Sequence, residues 1–92
     1  MNVDAYRIEV PVKAGQYVYR VVNDKRVKKP HKCKVVGLWI GEEPEYCSME
    51  LARYVGYNFD YSCTLPFEEM GKSVFFTEEE ALNKMQENEN AI

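Results

Sequence analysis

Few residues in the chain could carry chemistry. His31 is the only histidine, and Cys33, Cys47 and Cys63 are the only cysteines. One histidine and three cysteines are a recognised ligand set for structural zinc. The segments between them hold 1, 13 and 15 residues, and no two cysteines stand two residues apart to form a knuckle. An odd number of thiols at such spacing is not a disulfide framework either. The expected state is three thiols acting as small apolar groups, with no metal and no cofactor; a small structural zinc domain ranks third among the functional readings. A cysteine nucleophile would need a base, and His31 is the sole candidate. No nucleophile elbow or phosphate-cradling loop is present. Glu78-Glu79-Glu80 reads as the solvated start of a helix, not as two carboxyls in different environments. No catalytic residue is assigned, and the chain is expected not to be an enzyme.

Charge carries more information. Lys25, Arg26, Lys28, Lys29, Lys32 and Lys34 crowd into ten residues, with Arg20 just ahead of them. Tyr17 and Tyr19 could add stacking faces. Small SH3-like and OB-like barrels bind nucleic acid with basic hairpins and exposed aromatics of this kind. Lysines on an edge strand also serve simply to block sheet-to-sheet aggregation. The formal net charge of −3 argues against a general nucleic-acid binder, since such domains are usually basic. The charge is divided along the chain: residues 13–34 carry eight cations against Asp24 alone, and residues 42–92 carry twelve acids against three cations. Two surfaces of opposite potential follow if the fold keeps these parts apart. The acidic part is rich in tyrosines such as Tyr46, and tyrosine is favoured at protein interfaces because one end is apolar and the other hydrogen-bonds. An acidic surface of this kind could imitate a nucleic-acid backbone and occupy a basic groove. A protein partner is therefore the leading expectation and nucleic acid the alternative. The candidate binding residues are Arg20, Lys25, Arg26, Lys28, Lys29, Lys32, Lys34, Tyr17 and Tyr46.

These side chains need elements to position them. Tyr6, Ile8, Val10 and Val12 alternate, which predicts a strand over 6–12. The β-branched and aromatic run 16–22 predicts a second strand, followed by a tight turn at Asn23-Asp24-Lys25. Residues 26–29 could pair back as a hairpin; Pro30 interrupts, and a strand runs over 32–40 with Trp39 in the core. Residues 41–45 form a loop. Residues 46–55 fit a helical turn capped by Ser48 and, equally, a strand alternating at Met49, Leu51, Arg53 and Val55. The clearest alternation is 57–65, with Tyr57, Phe59, Tyr61, Cys63 and Leu65 on one face. A short strand is expected over 73–76. Thr77-Glu78-Glu79-Glu80 then has the form of a capping box, opening a helix over 78–88 with an apolar stripe of Ala81, Leu82 and Met85. Consecutive strands with no helices between them argue for an antiparallel sheet. The expected fold is mainly β: a small SH3-like barrel or curled sheet of about five strands, with one C-terminal helix.

Two segments resemble a known group. Met70-Gly71-Lys72-Ser73-Val74-Phe75-Phe76-Thr77-Glu78-Glu79-Glu80-Ala81-Leu82 is similar to the GK(S/T)VF-x-T-x-EEA ending of small uncharacterised proteins of Firmicute phages and integrated elements. Val18-Tyr19-Arg20-Val21-Val22 and, after a turn, Cys33-Lys34-Val35-Val36-Gly37 look like the earlier part of the same proteins. The resemblance covers about two-thirds of the chain, is thinnest over 42–56, and implies a phage or mobile-element origin with an SH3-like barrel followed by a short helix. It transfers no catalytic residue.

The 92 residues suit one domain spanning 1–92, with a modest core. Apolar residues at 46% and charged residues at 29% are the balance of a globular protein, not a disordered one. The longest apolar stretch, Val35 to Ile40, falls far short of the roughly 20 residues a membrane-spanning helix needs. The first residues lack the basic and apolar regions of a signal peptide. A cytoplasmic protein that is monomeric or weakly dimeric, with no membrane partner, is expected.

Overall fold

The computed structural model describes residues 9–90. It contains one antiparallel sheet of five strands: β1 (Tyr17–Arg20), β2 (His31–Trp39), β3 (Ser48–Val55), β4 (Asn58–Pro66) and β5 (Val74–Phe75). One helix, α1 (Glu78–Asn90), follows. The order across the sheet is β4-β3-β2-β1-β5. The outer strands β4 and β5 are not paired with each other, so the sheet is open and does not close into a barrel. The mainly β class, the five strands and the C-terminal helix agree with the sequence expectation.

Two elements differ from it. The ambiguous segment 46–55 is β3, paired along its whole length with β4 and over most of it with β2. Its alternation places Met49 and Leu51 in the core, with Ala52 buried beside them, as the two-residue period of a strand with one face on the core requires. The strand expected over 6–12 is absent from its described part: residues 9–13 take no regular structure, and residues 6–8 lie outside the described range. Val12 is buried while Val10, two residues earlier, is exposed, so this part of the chain does not keep the two-residue period. Pro11 has no N–H to give a ladder.

Two bulges control which side chains face the core. Val35 pairs with Leu51 but Gly37 pairs with Glu50, so Val36 is an extra residue in β2. A one-residue slip reverses every later side chain. Leu38 therefore turns toward the core, and Trp39 turns out, 60% exposed. This corrects the expectation of a core Trp39: its neighbours are apolar, but the bulge changes its face. In β4 the bulge falls at Asp60, since Arg53 pairs with Tyr61 and Tyr54 with Phe59. Tyr61, Cys63 and Leu65 stay on the core side, half-buried, while Phe59 and the turn residue Tyr57 are exposed. The expected aromatic row is thus broken after Tyr61. Gly56 opens the two-residue β3–β4 turn with φ +65° and Tyr57 has no positive φ, the sign pattern of a type II′ hairpin that a side chain at residue 56 would strain.

The core is Val12, Val18, Cys33, Val35, Met49, Leu51 and Val74, flanked by Leu38, Cys63, Leu65, Phe67 and Met70. The helix lies against β1 and β5. One half of its predicted cap forms: the Glu80 N–H donates to Thr77 Oγ1 at 3.2 Å, while the Glu80 side chain accepts from the Thr77 hydroxyl at 2.9 Å in place of the Thr77 backbone N–H. The expected stripe is narrower than its sequence pattern, because Ala81 is buried, Met85 half-buried and Leu82 exposed.

Candidate functional site

The strand pairing separates the charges by the two ends of the sheet. At one end Arg20 pairs with His31, the loop 21–30 joins β1 to β2, and the β3–β4 turn closes beside it. At the other end Trp39 pairs with Ser48 and Ser48 with Pro66. There the loop 40–47 and the segment Phe67–Glu69 bring together Glu42, Glu43, Glu45, Glu68 and Glu69.

The basic loop is not the expected hairpin; residues 21–30 form no strand. Asp24 organises it. The Asp24 carbonyl accepts from Val27 N–H at 2.9 Å. Its carboxylate accepts from the Arg26 backbone N–H at 2.9 Å and from Arg26 Nη2 at 3.0 Å. These hydrogen bonds hold the Asp24 carboxyl below its ordinary pKa. Beyond this turn, Arg26, Lys28, Lys29 and Lys32 line an open depression of about 510 Å³, joined from β3 by Arg53 and Tyr54. Among the described residues no acid lines it, although Arg26 is paired with Asp24 and Arg53 with Asp60.

His31 also lines the depression, and it belongs to a polar cluster on the core side. Arg20 Nη1 donates to the Tyr61 hydroxyl at 3.0 Å, and that hydroxyl lies 2.8 Å from His31 Nδ1. The Tyr61 hydroxyl thus sits between the guanidinium and the imidazole, within hydrogen-bond distance of both. Burial, then Arg53 and Arg20, push the His31 pKa down. Burial raises that of Tyr61, against the pull of the Arg20 hydrogen bond.

The candidate residues therefore divide. Lys28, Lys29, Lys32 and Arg26 share the depression. Arg20 does not join them; it is on the core side, held by Tyr61. Tyr17 and Lys34 pair on the opposite side of the sheet, where Lys32 Nζ sits 4.7 Å from the centre of the Tyr17 ring. Lys25 lies in a neighbouring groove of about 390 Å³ between the loop and α1, which Lys28 also lines and where Asp24 and Glu89 supply acids. Tyr46 is at the acidic end. Sequence reasoning missed Arg53 and Tyr54, because the segment that holds them was not fixed as a strand. The alternation at Arg53 was the available signal.

The weak metal candidates do not converge. Cys33 Sγ donates to the His31 carbonyl and Cys47 Sγ to the Glu43 carbonyl, each at 3.6 Å. Among the described residues no three His, Cys, Asp or Glu side chains are grouped to hold a metal ion. No two of the three cysteines are joined in a disulfide, and burial raises the Cys33 pKa, which keeps it a thiol at neutral pH.

The acidic end is built around Cys47. The Phe67 N–H donates to the Cys47 carbonyl at 3.2 Å, tying the two acidic segments together. A 3₁₀ turn over Pro44–Tyr46 precedes it, and Tyr46 rests against Gly41. A Cβ on Gly41 would come within 2.9 Å of the Tyr46 carbonyl oxygen. Within this one loop and its base, Trp39 is 60% exposed, Ile40 53% and Tyr46 65%. No helix among the described residues is long and apolar enough to cross a membrane. Comparison with protein-family models, with curated proteins and with solved structures found no match to this chain.

Proposed function

We propose that the chain is a non-enzymatic accessory protein of a phage or mobile element that acts in the cytoplasm by binding a partner protein. The observation that carries this reading is the acidic end. Trp39, Ile40 and Tyr46 are exposed together in one short loop, and Glu42, Glu43 and Glu45 lie between them in sequence. Large aromatics within a polar rim are the composition of interface hot spots. The occupant that complements this surface is a basic groove, such as the nucleic-acid channel of a host or phage enzyme, where the carboxylates stand in for phosphates. Complementary charge would speed the encounter, and the aromatics would hold the complex.

The absence of catalysis is part of the proposal. Its support is that Cys33 Sγ donates to the His31 carbonyl and that the Nδ1 of the one imidazole is engaged by Tyr61. Cysteines that are not joined to one another suit a reducing compartment.

The test is capture from a nuclease-treated bacterial lysate by immobilised protein, comparing wild type with the double variant W39A/Y46A. The expected result is a band retained by wild type and lost by the variant, since hot-spot truncations cost about 2 kcal/mol or more each. Equal capture by both proteins would sink the reading.

A further inference from the structure

The opposite end of the sheet offers a second site, which does not depend on the protein-partner reading. We infer that the depression between the 26–30 loop and β3 binds the backbone of single-stranded nucleic acid, with Tyr54 beside it as a stacking surface. The cations come from two separate parts of the chain: Arg26, Lys28, Lys29 and Lys32 from the loop and β2, and Arg53 from β3. Asp24 pairs with Arg26 and Asp60 with Arg53, offsetting part of their charge. Among the described residues no ion pair engages Lys28 or Lys29, leaving two exposed ammonium groups for phosphates.

The choice of a single strand rests on the aromatics at this end. Tyr54 lines the depression and is 49% exposed. Phe59 meets its ring edge-on at 5.8 Å between centres, which limits how the Tyr54 ring can move. Tyr57, at the turn tip, is fully exposed. Unpaired bases can stack on such rings, whereas the bases of a duplex are already stacked on each other. A peptide rich in carboxylates would satisfy the cations but would have no use for the rings.

The experiment is a fluorescence-anisotropy titration with a labelled oligothymidylate of about 15 nucleotides, set against a duplex of equal length and polyglutamate. Wild type is expected to bind the single strand most tightly. Two or three phosphate contacts would give a log–log salt slope of about −1.4 to −2.1. K28E/K29E should reduce affinity at least about 10-fold and flatten that slope, while K28R/K29R should retain it. Y54A should weaken single-strand binding by about 5-fold or more with the slope unchanged. Thermal melts of each variant separate loss of binding from loss of fold. The inference is overturned by no binding at low salt, by a preference for duplex, by equal binding of polyglutamate, or by a folded K28E/K29E protein that binds like wild type. W39A/Y46A should bind the oligonucleotide normally, so failure at one end is distinguishable from failure at the other.

Discussion

Tyr61 links two charged or chargeable groups through one hydroxyl, which accepts from Arg20 and lies within hydrogen-bond distance of His31 Nδ1. Removing it leaves a half-buried guanidinium without that partner. Y61F is therefore expected to destabilise the protein by about 1–2 kcal/mol, as measured by urea unfolding, although it removes a single oxygen. His31 sets a pH dependence of predictable sign. Its folded pKa is lowered, so the unfolded chain takes up the proton first. The stability contribution is complete above the ordinary histidine value of about 6.5 and is lost progressively as pH falls from there toward the folded pKa. Urea midpoints measured between neutral pH and pH 5 should decline more steeply for wild type than for H31Q. At this scale the sequence named His31, Arg20 and Cys33 but not their relation. A polar cluster built from β1, β2 and β4 depends on pairings that no local pattern encodes.

At the scale of elements, the bulge in β2 is the consequential feature. It sends Leu38 inward and Trp39 outward, so Trp39→Ala should cost about 1 kcal/mol or less, in keeping with a mainly exposed side chain. Leu51→Ala, at a fully buried position, should cost about 2–5 kcal/mol. Denaturant unfolding of the two variants checks the face assignment directly, and a larger loss at Trp39 would contradict it. The cap was legible because its signal is local: Thr77 and the Glu80 N–H that it accepts from are three residues apart. Thr77→Ala should remove about 1 kcal/mol, seen as a fall in Tm of roughly 4–8 °C for a domain of this size. The strand in 48–55 was only half legible. Its residues satisfy a helical turn and a strand equally well until β2 and β4 are present on either side.

Across the whole molecule, the division of charge seen in the sequence becomes a partial separation along the strands: the loop 21–30 gathers cations at one end and the segments 40–47 and 67–69 gather acids at the other, while Glu89 of α1 lies beside Lys25 and Lys28. Each end carries its own exposed aromatics: Tyr54, Tyr57 and Phe59 beside the cations, Trp39 and Tyr46 beside the acids. Substitutions at the two ends share no partners and should act independently. The combined variant K28E/K29E/W39A/Y46A should change stability by the sum of the separate effects, to within about 0.5 kcal/mol in urea unfolding. A larger deviation would mean that the ends are coupled through the sheet.

Composition and periodicity by themselves determined the class of this protein: a mainly β domain, a C-terminal helix with its cap, and two stretches of opposite charge. Those features come from residue type and near-neighbour spacing, which act before the chain folds. Tertiary structure decided the openness of the sheet, the strand at 48–55, the outward turn of Trp39, and the meeting of Arg53 and Tyr54 with the basic loop. Each depends on which strands pair and in what register, and a single extra residue at Val36 or Asp60 shifts that register. The side-chain period in a strand is two, so one residue is enough to exchange core for surface.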